Sequence, residues 1–216
     1  MNATAADLLS DDAAALVIRA LLDFRSLWTT HDLVTTTGVP APTIRRVVEQ
    51  LDREALVERP APGVVAVPSW LVLLRRWNRA TRFGREARLT YWRSKRAAGR
   101  LFDQVPGSDL RHAVSGTQAA QHWAPDTPTG PTVIYTPDAQ AAATIWELVP
   151  ATSRSIVLAE TTQDIVYTRA RKTDTGLRLA APAQVLSDLL TGAATSTRVA
   201  EPLTRWMQDH ELDWRY

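Results

Sequence analysis

Residues 26–67 read SLWTTHDLVTTTGVPAPTIRRVVEQLDREALVERPAPGVVAV, and the fold is decided here. Thr29 or Thr30 stands where a hydroxyl can accept from the first free N–H groups of a helix. Leu33 and Val34 then point inward, and Gly38 stops the helix. Gly38-Val39-Pro40 makes a tight turn, and a second helix starts near Ala41. Pro42 falls in its first turn, where no backbone N–H is needed. Ile44, Val47, Val48 and Leu51 recur at the spacing of one buried helical stripe. The opposite side carries Arg46, Glu49, Gln50 and Arg53, with Thr43 and Arg45 on its flanks. Residues 56–59 read as a strand, 60–63 as a turn and 64–67 as a returning strand. Two helices across a glycine turn followed by a hairpin form the pattern of a winged helix-turn-helix, which lays its second helix in a DNA major groove.

Helix pairs of this kind also serve as plain scaffolding in α-rich domains. Here the arginines and the glutamine favour a DNA-reading role, because these side chains suit phosphate oxygens, guanine edges and adenine edges. Ala55 speaks against it, standing where such a helix commonly ends in a left-handed glycine.

Outward from this stretch, residues 11–25 predict a first helix with Leu16, Val17, Ala20, Leu21 and Phe24 on one face and Ser10 or Asp11 as cap. Trp28 opens the next helix or a short strand before it. In residues 69–83 the spacing of Trp70, Leu73, Leu74 and Trp77 gives another buried stripe. A further helix is expected from Gly84 or Arg85 to Phe102, with Leu89, Trp92, Ala97 and Leu101 inward.

Charge is distributed unevenly along the chain. The formal net charge is +2, yet residues 75–100 hold ten cations against Glu86 alone, while acids outnumber bases on either side. Ten like charges repel unless they are spread over a solvated face or neutralised by phosphate. The stretch is therefore expected either to extend a DNA footprint, to form a solvated helix or to meet an acidic protein. Only Lys95 and Lys172 are lysines, a bias that suits a GC-rich genome and says nothing about phosphate.

The chain has 216 residues, 45% of them hydrophobic, enough for two small cores. No apolar run approaches the ~18 residues of a membrane span, so no membrane partner is expected. The first residues lack a basic patch before an apolar run, and cysteine is absent. Both point to a cytoplasmic protein without disulfides or thiolate metal sites.

Residues 107–216 read as a separate mixed domain. Short strands are expected at 111–114, 132–135, 155–160, 165–169 and 177–179. Helices are expected over 117–123, from Pro137 or Asp138 to about Leu148, and from Pro182 onward with Val185, Leu186, Leu189 and Leu190. Thr195 or Ser196 caps a final helix carrying Val199, Leu203, Trp206 and Met207, and DHELDWRY closes the chain as an acidic tail. Gln184 and Asp188 lie one helical turn apart, a spacing that commonly serves hydrogen bonds to a neighbouring segment.

Several phrases of this half carry a family resemblance. Ala113-Val114-Ser115-Gly116 with Ala119-Ala120, Val133-Ile134-Tyr135, and Ala181-Pro182-Ala183-Gln184-Val185-Leu186-Ser187-Asp188-Leu189-Leu190-Thr191-Gly192 followed by Ala200-Glu201 and Trp206-Met207 resemble the AbiEi-like antitoxins of type IV toxin–antitoxin systems. With the N-terminal winged helix the resemblance covers most of the chain. Ala193-Ala194-Thr195 departs from the family's Pro-Gly-Arg, and the basic connector is not a family feature. The resemblance implies a repressor of its own promoter whose C-terminal domain supports cooperative DNA binding and counters a nucleotidyltransferase toxin. A stand-alone regulator of the same architecture fits the same phrases.

Catalysis finds little footing. His31, His112, His122 and His210 lie far apart, and there is no zinc-protease motif, serine elbow, phosphate loop or dinucleotide fingerprint. Glu160, Asp164 and Lys172 match a metal-dependent nuclease poorly. A protein-interaction adaptor using Trp70, Trp77 and Trp92 is the third alternative, although their spacing is that of core residues.

The expected architecture is α+β: a winged helix-turn-helix over residues 1–68, a basic helical connector over 69–104 and a mixed domain over 105–216. The expected function is a sequence-specific, non-enzymatic DNA-binding regulator without cofactor or metal. Its partner is double-stranded operator DNA, bound as a dimer or cooperative assembly because one helix-turn-helix reads few base pairs. Thr43, Arg45, Arg46 and Gln50 would read or position bases, and Arg59 would reach the backbone from the wing. Arg75, Arg76, Arg79, Arg82, Arg85 and Arg88 would neutralise phosphates.

Overall fold

A computed structural model describes residues 8–80, 87–95, 101–152, 155–192 and 197–216. The expectations for Arg82, Arg85, the helix start at Gly84 or Arg85, Ala97, the Thr195 or Ser196 cap and the first seven residues lie outside the described residues. The fold is mixed α+β and divides into two compact units, Met1–Arg82 with His210–Tyr216, and Phe83–Asp209. Among the described residues no helix is long and apolar enough to cross a membrane.

The first unit is built on α1 (Asp12–Asp23), α2 (Thr30–Thr37), α3 (Ala41–Arg53) and α4 (Trp70–Ala80), with β1 (Trp28–Thr29), β2 (Glu58–Ala61) and β3 (Val64–Ala66). Thr29 is the N-cap of α2 and forms a capping box. Its Oγ1 accepts from the Asp32 N–H at 3.1 Å, and the Asp32 carboxylate accepts from the Thr29 N–H at 2.9 Å. Hydrogen bonds from the Thr29 side chain and backbone hold the Asp32 carboxyl below its ordinary value. Gly38 closes α2 at φ 70°, a conformation in which a side chain would be strained. Ile44, Val47, Val48 and Leu51 of α3 are buried, as their spacing requires.

The end of α3 keeps its left-handed residue although the residue is alanine. Ala55 adopts φ 54°. The Leu56 N–H donates to Leu51 O and the Ala55 N–H to Asp52 O, both at 2.9 Å, the paired bonds of a Schellman motif. Burial of Leu51 and Leu56 accompanies them and offsets the cost of the backbone.

The chain then forms an antiparallel sheet in the order β1-β3-β2. Residues 60 and 61, expected in the turn, belong to β2, and the reversal needs only Pro62 and Gly63, the latter at φ 74°. All of β2 is exposed. The stretch DHELDWRY, expected only as an acidic tail, includes α10 (Glu211–Trp214), and His210–Tyr216 complete this unit's core. Trp214 is buried edge-on against Trp70, with ring centroids 5.0 Å apart.

The second unit holds a seven-stranded sheet ordered β7-β4-β8-β6-β5-β10-β9. In chain order these strands are β4 (Arg88–Ser94), β5 (Ala113–Ser115), β6 (Thr132–Thr136), β7 (Leu148–Pro150), β8 (Ile156–Glu160), β9 (Arg171–Lys172) and β10 (Arg178–Leu179). The helices are α5 (Leu101–Gln104), α6 (Gly116–Trp123), α7 (Ala139–Ile145), α8 (Pro182–Thr191) and α9 (Thr197–Asp209). β6 and β8 pair in parallel and are almost wholly buried, the environment for which runs such as TVIYT and IVLAE are suited. The helices α6, α8 and α9 pack on one another, and Trp123 of α6 meets Trp206 of α9 with ring centroids 6.0 Å apart.

Three expectations are corrected here. The stretch expected as a helical connector is divided between two cores: α4 belongs to the first unit, while residues 88–94 form strand β4 inside the sheet of the second. Leu89 and Trp92 stand three apart, which fits a helix. Yet Thr90, Tyr91 and Trp92 favour a pleated strand, and partners on both sides decide the outcome: β8 from Arg88↔Glu160 to Trp92↔Ile156, and β7 on the other edge. Residues 146–148, expected to end a helix, turn at Glu147 (φ 51°) into β7. The strand expected at 165–169 does not form: its first three residues lie in a 3-10 turn, Asp164–Tyr167.

His112 is a buried base held neutral by its surroundings. Its Nδ1–H donates to Leu110 O at 2.9 Å, since a carbonyl can only accept, and Nε2 has no hydrogen-bond partner among the described residues. Burial lowers its pKa, and the nearby positive Arg178 lowers it further. The unfolded chain therefore takes up a proton near the ordinary histidine value and the folded chain only at a lower pH, so stability present above pH ~6.5 is lost as the pH falls below it. The urea midpoint of the wild type is expected to drop between pH 7 and pH 5. His112→Asn, which keeps a donor toward Leu110, should flatten this part of the profile; an unchanged slope would remove the assignment.

Candidate nucleic-acid interface

The exposed side of α3 presents Arg45 and Arg46, both solvent-exposed, with Thr43 half-buried beside them and Glu49 one turn on. No salt bridge or hydrogen bond engages either arginine among the described residues. Their position follows from local sequence alone. The stripe from Ile44 to Leu51 fixes the helix's rotation, and the Gly38 turn fixes its start. Two extended cations and a hydroxyl on one helical face can reach phosphate oxygens and base edges together.

The C-terminal turn of α3 behaves differently. Gln50 was expected to read bases, but both ends of its amide are engaged within the protein. Its Nε2 donates to Glu54 Oε1 at 2.6 Å, and its Oε1 accepts from Arg53 at 2.6 Å. Arg76 was expected on the phosphates, but it is half-buried and donates twice to Glu54, from Nε at 2.5 Å and from Nη2 at 3.0 Å. Arg59 of β2 donates to Asp52 at 2.6 Å, tying the hairpin to the end of α3. Arg75 and Arg79 stay exposed on the outer side of α4, which Trp70, Leu73, Leu74 and Trp77 orient by their burial. Arg88 lies on β4 of the other unit, where it faces Glu160 at 3.8 Å.

Thus the structure brings Thr43, Arg45 and Arg46 onto one face and leaves Arg75 and Arg79 open on α4. It engages Gln50, Arg59 and Arg76 internally. Sequence reading missed the roles of Asp52 and Glu54. The signal was present, since two acids in the last turn of a helix oppose its dipole and call for cationic partners.

The second unit contains a buried polar cluster. Asp188 of α8 accepts from Ser115 Oγ at 2.5 Å, from Tyr135 Oη at 2.9 Å and from Gln184 Nε2 at 2.9 Å. All four side chains are buried, and they lock α8 to the neighbouring strands β5 and β6. Gly116, beside Ser115, is at φ 70°, and a Cβ there would lie 2.7 Å from Pro131 O, so the turn admits only glycine. Among the described residues no group of three or more His, Asp or Glu is placed to hold a metal ion. Comparison with family models, curated proteins and solved structures finds no match to this chain.

Proposed function

We propose that the chain is a sequence-specific DNA-binding regulator whose first unit is a winged helix-turn-helix. The observation that carries this reading is the exposed face of α3, with Arg45 and Arg46 open to solvent on a helix whose other face is buried. The capped α2, the Gly38 turn and the β2–β3 hairpin, whose β2 strand is exposed, supply the remaining parts of the motif. α3 would enter the major groove, the hairpin would serve as wing, and Arg75 and Arg79 would lie along phosphates. Pairing of two copies on adjacent half-sites would enlarge the few base pairs that three side chains can read.

The resemblance in the C-terminal half extends the reading to an autorepressing AbiEi-like antitoxin, acting in the cytoplasm on its own promoter and against a nucleotidyltransferase toxin. What supports this is convergence. Ser115, Tyr135, Gln184 and Asp188 come from three separate phrases of the resemblance and meet in one hydrogen-bonded cluster.

Fluorescence anisotropy tests the DNA reading, using a duplex enriched by the wild-type chain from a random-sequence pool. Arg46→Ala is expected to cost about 1–3 kcal/mol on that duplex and to relax base preference at one position. Arg79→Ala should weaken every sequence alike and reduce the slope of log K against log salt by ~0.9. Equal losses on all sequences for both variants would remove Arg46 from base reading.

A further inference from the structure

The last turn of α3 contains two carboxylates where a helix favours cations. Glu54 is the C-cap residue and Asp52 lies two positions before it, both near the negative end of the helix dipole. Each is matched by an arginine from elsewhere in the unit: Arg76 of α4 with the first, Arg59 of β2 with the second. The Arg76–Glu54 contact uses the guanidinium edge and both carboxylate oxygens, the fork geometry with which arginine also grips a phosphate. Side-chain exposure is 19% for Arg76 and 26% for Glu54, so solvent screens this pair less than the more open Arg59–Asp52 pair. Gln50 and Arg53 complete the chain of contacts. Arg45 and Arg46, two turns earlier, are left outside it.

We propose that Glu54 and Asp52 act as internal substitutes for phosphate and so set the specificity of the interface. Each carboxylate holds an arginine that would otherwise neutralise the backbone of any duplex. The inference rests on the DNA-binding reading above. A random duplex must compete with Glu54 for Arg76 and with Asp52 for Arg59, and gains little from either. A preferred duplex is held by Arg45 and Arg46, which have no internal competitor among the described residues. Non-specific affinity falls, specific affinity is largely kept, and the ratio between them widens, which is the quantity that matters among many competing sites.

Glu54→Gln isolates the charge, because the amide oxygen still accepts from Gln50 while the attraction to Arg76 is lost. With the full chain and a pool of random-sequence duplexes, this variant is expected to bind ~3–10-fold more tightly at 0.1 M salt, its log K against log salt steeper by ~0.9 for the freed cation. Its preference for the wild-type-enriched duplex over the pool should narrow by a similar factor. Asp52→Asn, an exposed change that leaves the core untouched, should act in the same direction, and the double variant should add a second increment of slope. Weaker binding to every duplex with an unchanged slope, in both variants, would mean the carboxylates merely brace the fold and would overturn the inference alone. Failure of the wild type and both variants to bind any duplex would overturn the DNA reading and this inference together.

Discussion

Removal of residues 210–216 is expected to unfold the first unit, although the cut lies more than a hundred residues from α4 in sequence. Arg215 is buried and gives its guanidinium to the end of α1. Nε donates to Leu22 O at 2.8 Å, and Nη2 donates to Leu21 O and Phe24 O, each at 3.0 Å. Nη1 is held by Glu211 at 2.6 Å. Burial lowers its pKa from the usual arginine value, and Glu211 opposes that shift. The Arg25 N–H also donates to Arg215 O at 3.0 Å, tying the tail to the segment before β1. These carbonyls are among those a helix end leaves without an internal partner. Arg215→Ala should therefore cost about 3–5 kcal/mol, the range for removing one side of a buried charged contact. The full deletion also strips Trp214 from Trp70, a loss of similar size, and the sum approaches the 5–15 kcal/mol by which a domain is typically stable.

Urea denaturation followed by near-ultraviolet circular dichroism tests this, because Trp28, Trp70 and Trp77 are all buried in the affected core. Arg215→Lys separates charge from geometry. An ammonium keeps the charge but cannot present the planar fork that reaches three carbonyls, so it should fall between wild type and alanine. A truncated chain with an unchanged urea midpoint would show that α1 ends well enough without the tail.

Local signals were legible in this chain, and distant ones were not. Thr29, Gly38 and Pro42 act within a few residues of themselves, so the bounds of α2 and α3 and the buried stripe of α3 followed from spacing and capping chemistry. Exposure of Arg45 and Arg46 followed with them. What could not be read depends on partners far along the chain. Arg76 meets a carboxylate 22 residues before it, and Arg215 meets carbonyls more than 190 residues before it. Strand β4 is a strand because β7 and β8 flank it; its own residues allow either period. Gln184 and Asp188 share one helical face in sequence, but the groups that donate to Asp188 from outside the helix, Ser115 and Tyr135, sit on two other elements.

That cluster yields the second large effect. Asp188→Ala takes away the acceptor that Ser115, Tyr135 and Gln184 share inside the second unit. A buried polar group deprived of its partner costs about 1–3 kcal/mol, more where the lost partner was charged, so the expected destabilisation is about 3–5 kcal/mol. Asp188→Asn should cost less, since its oxygen still accepts and the Ser115 hydroxyl can rotate to receive an amide hydrogen. Tyr135→Phe alone removes one donor and leaves the carboxylate Ser115 and Gln184, so its effect should be small, near 1 kcal/mol. If the carboxylate organises these groups as a unit, the Tyr135→Phe and Asp188→Ala changes will not add. The double variant should be ~1 kcal/mol or more better than the sum, because a phenyl ring has no hydroxyl left to orphan. Strict additivity would dissolve the cluster into separate contacts, each holding α8 to its own strand independently of the others.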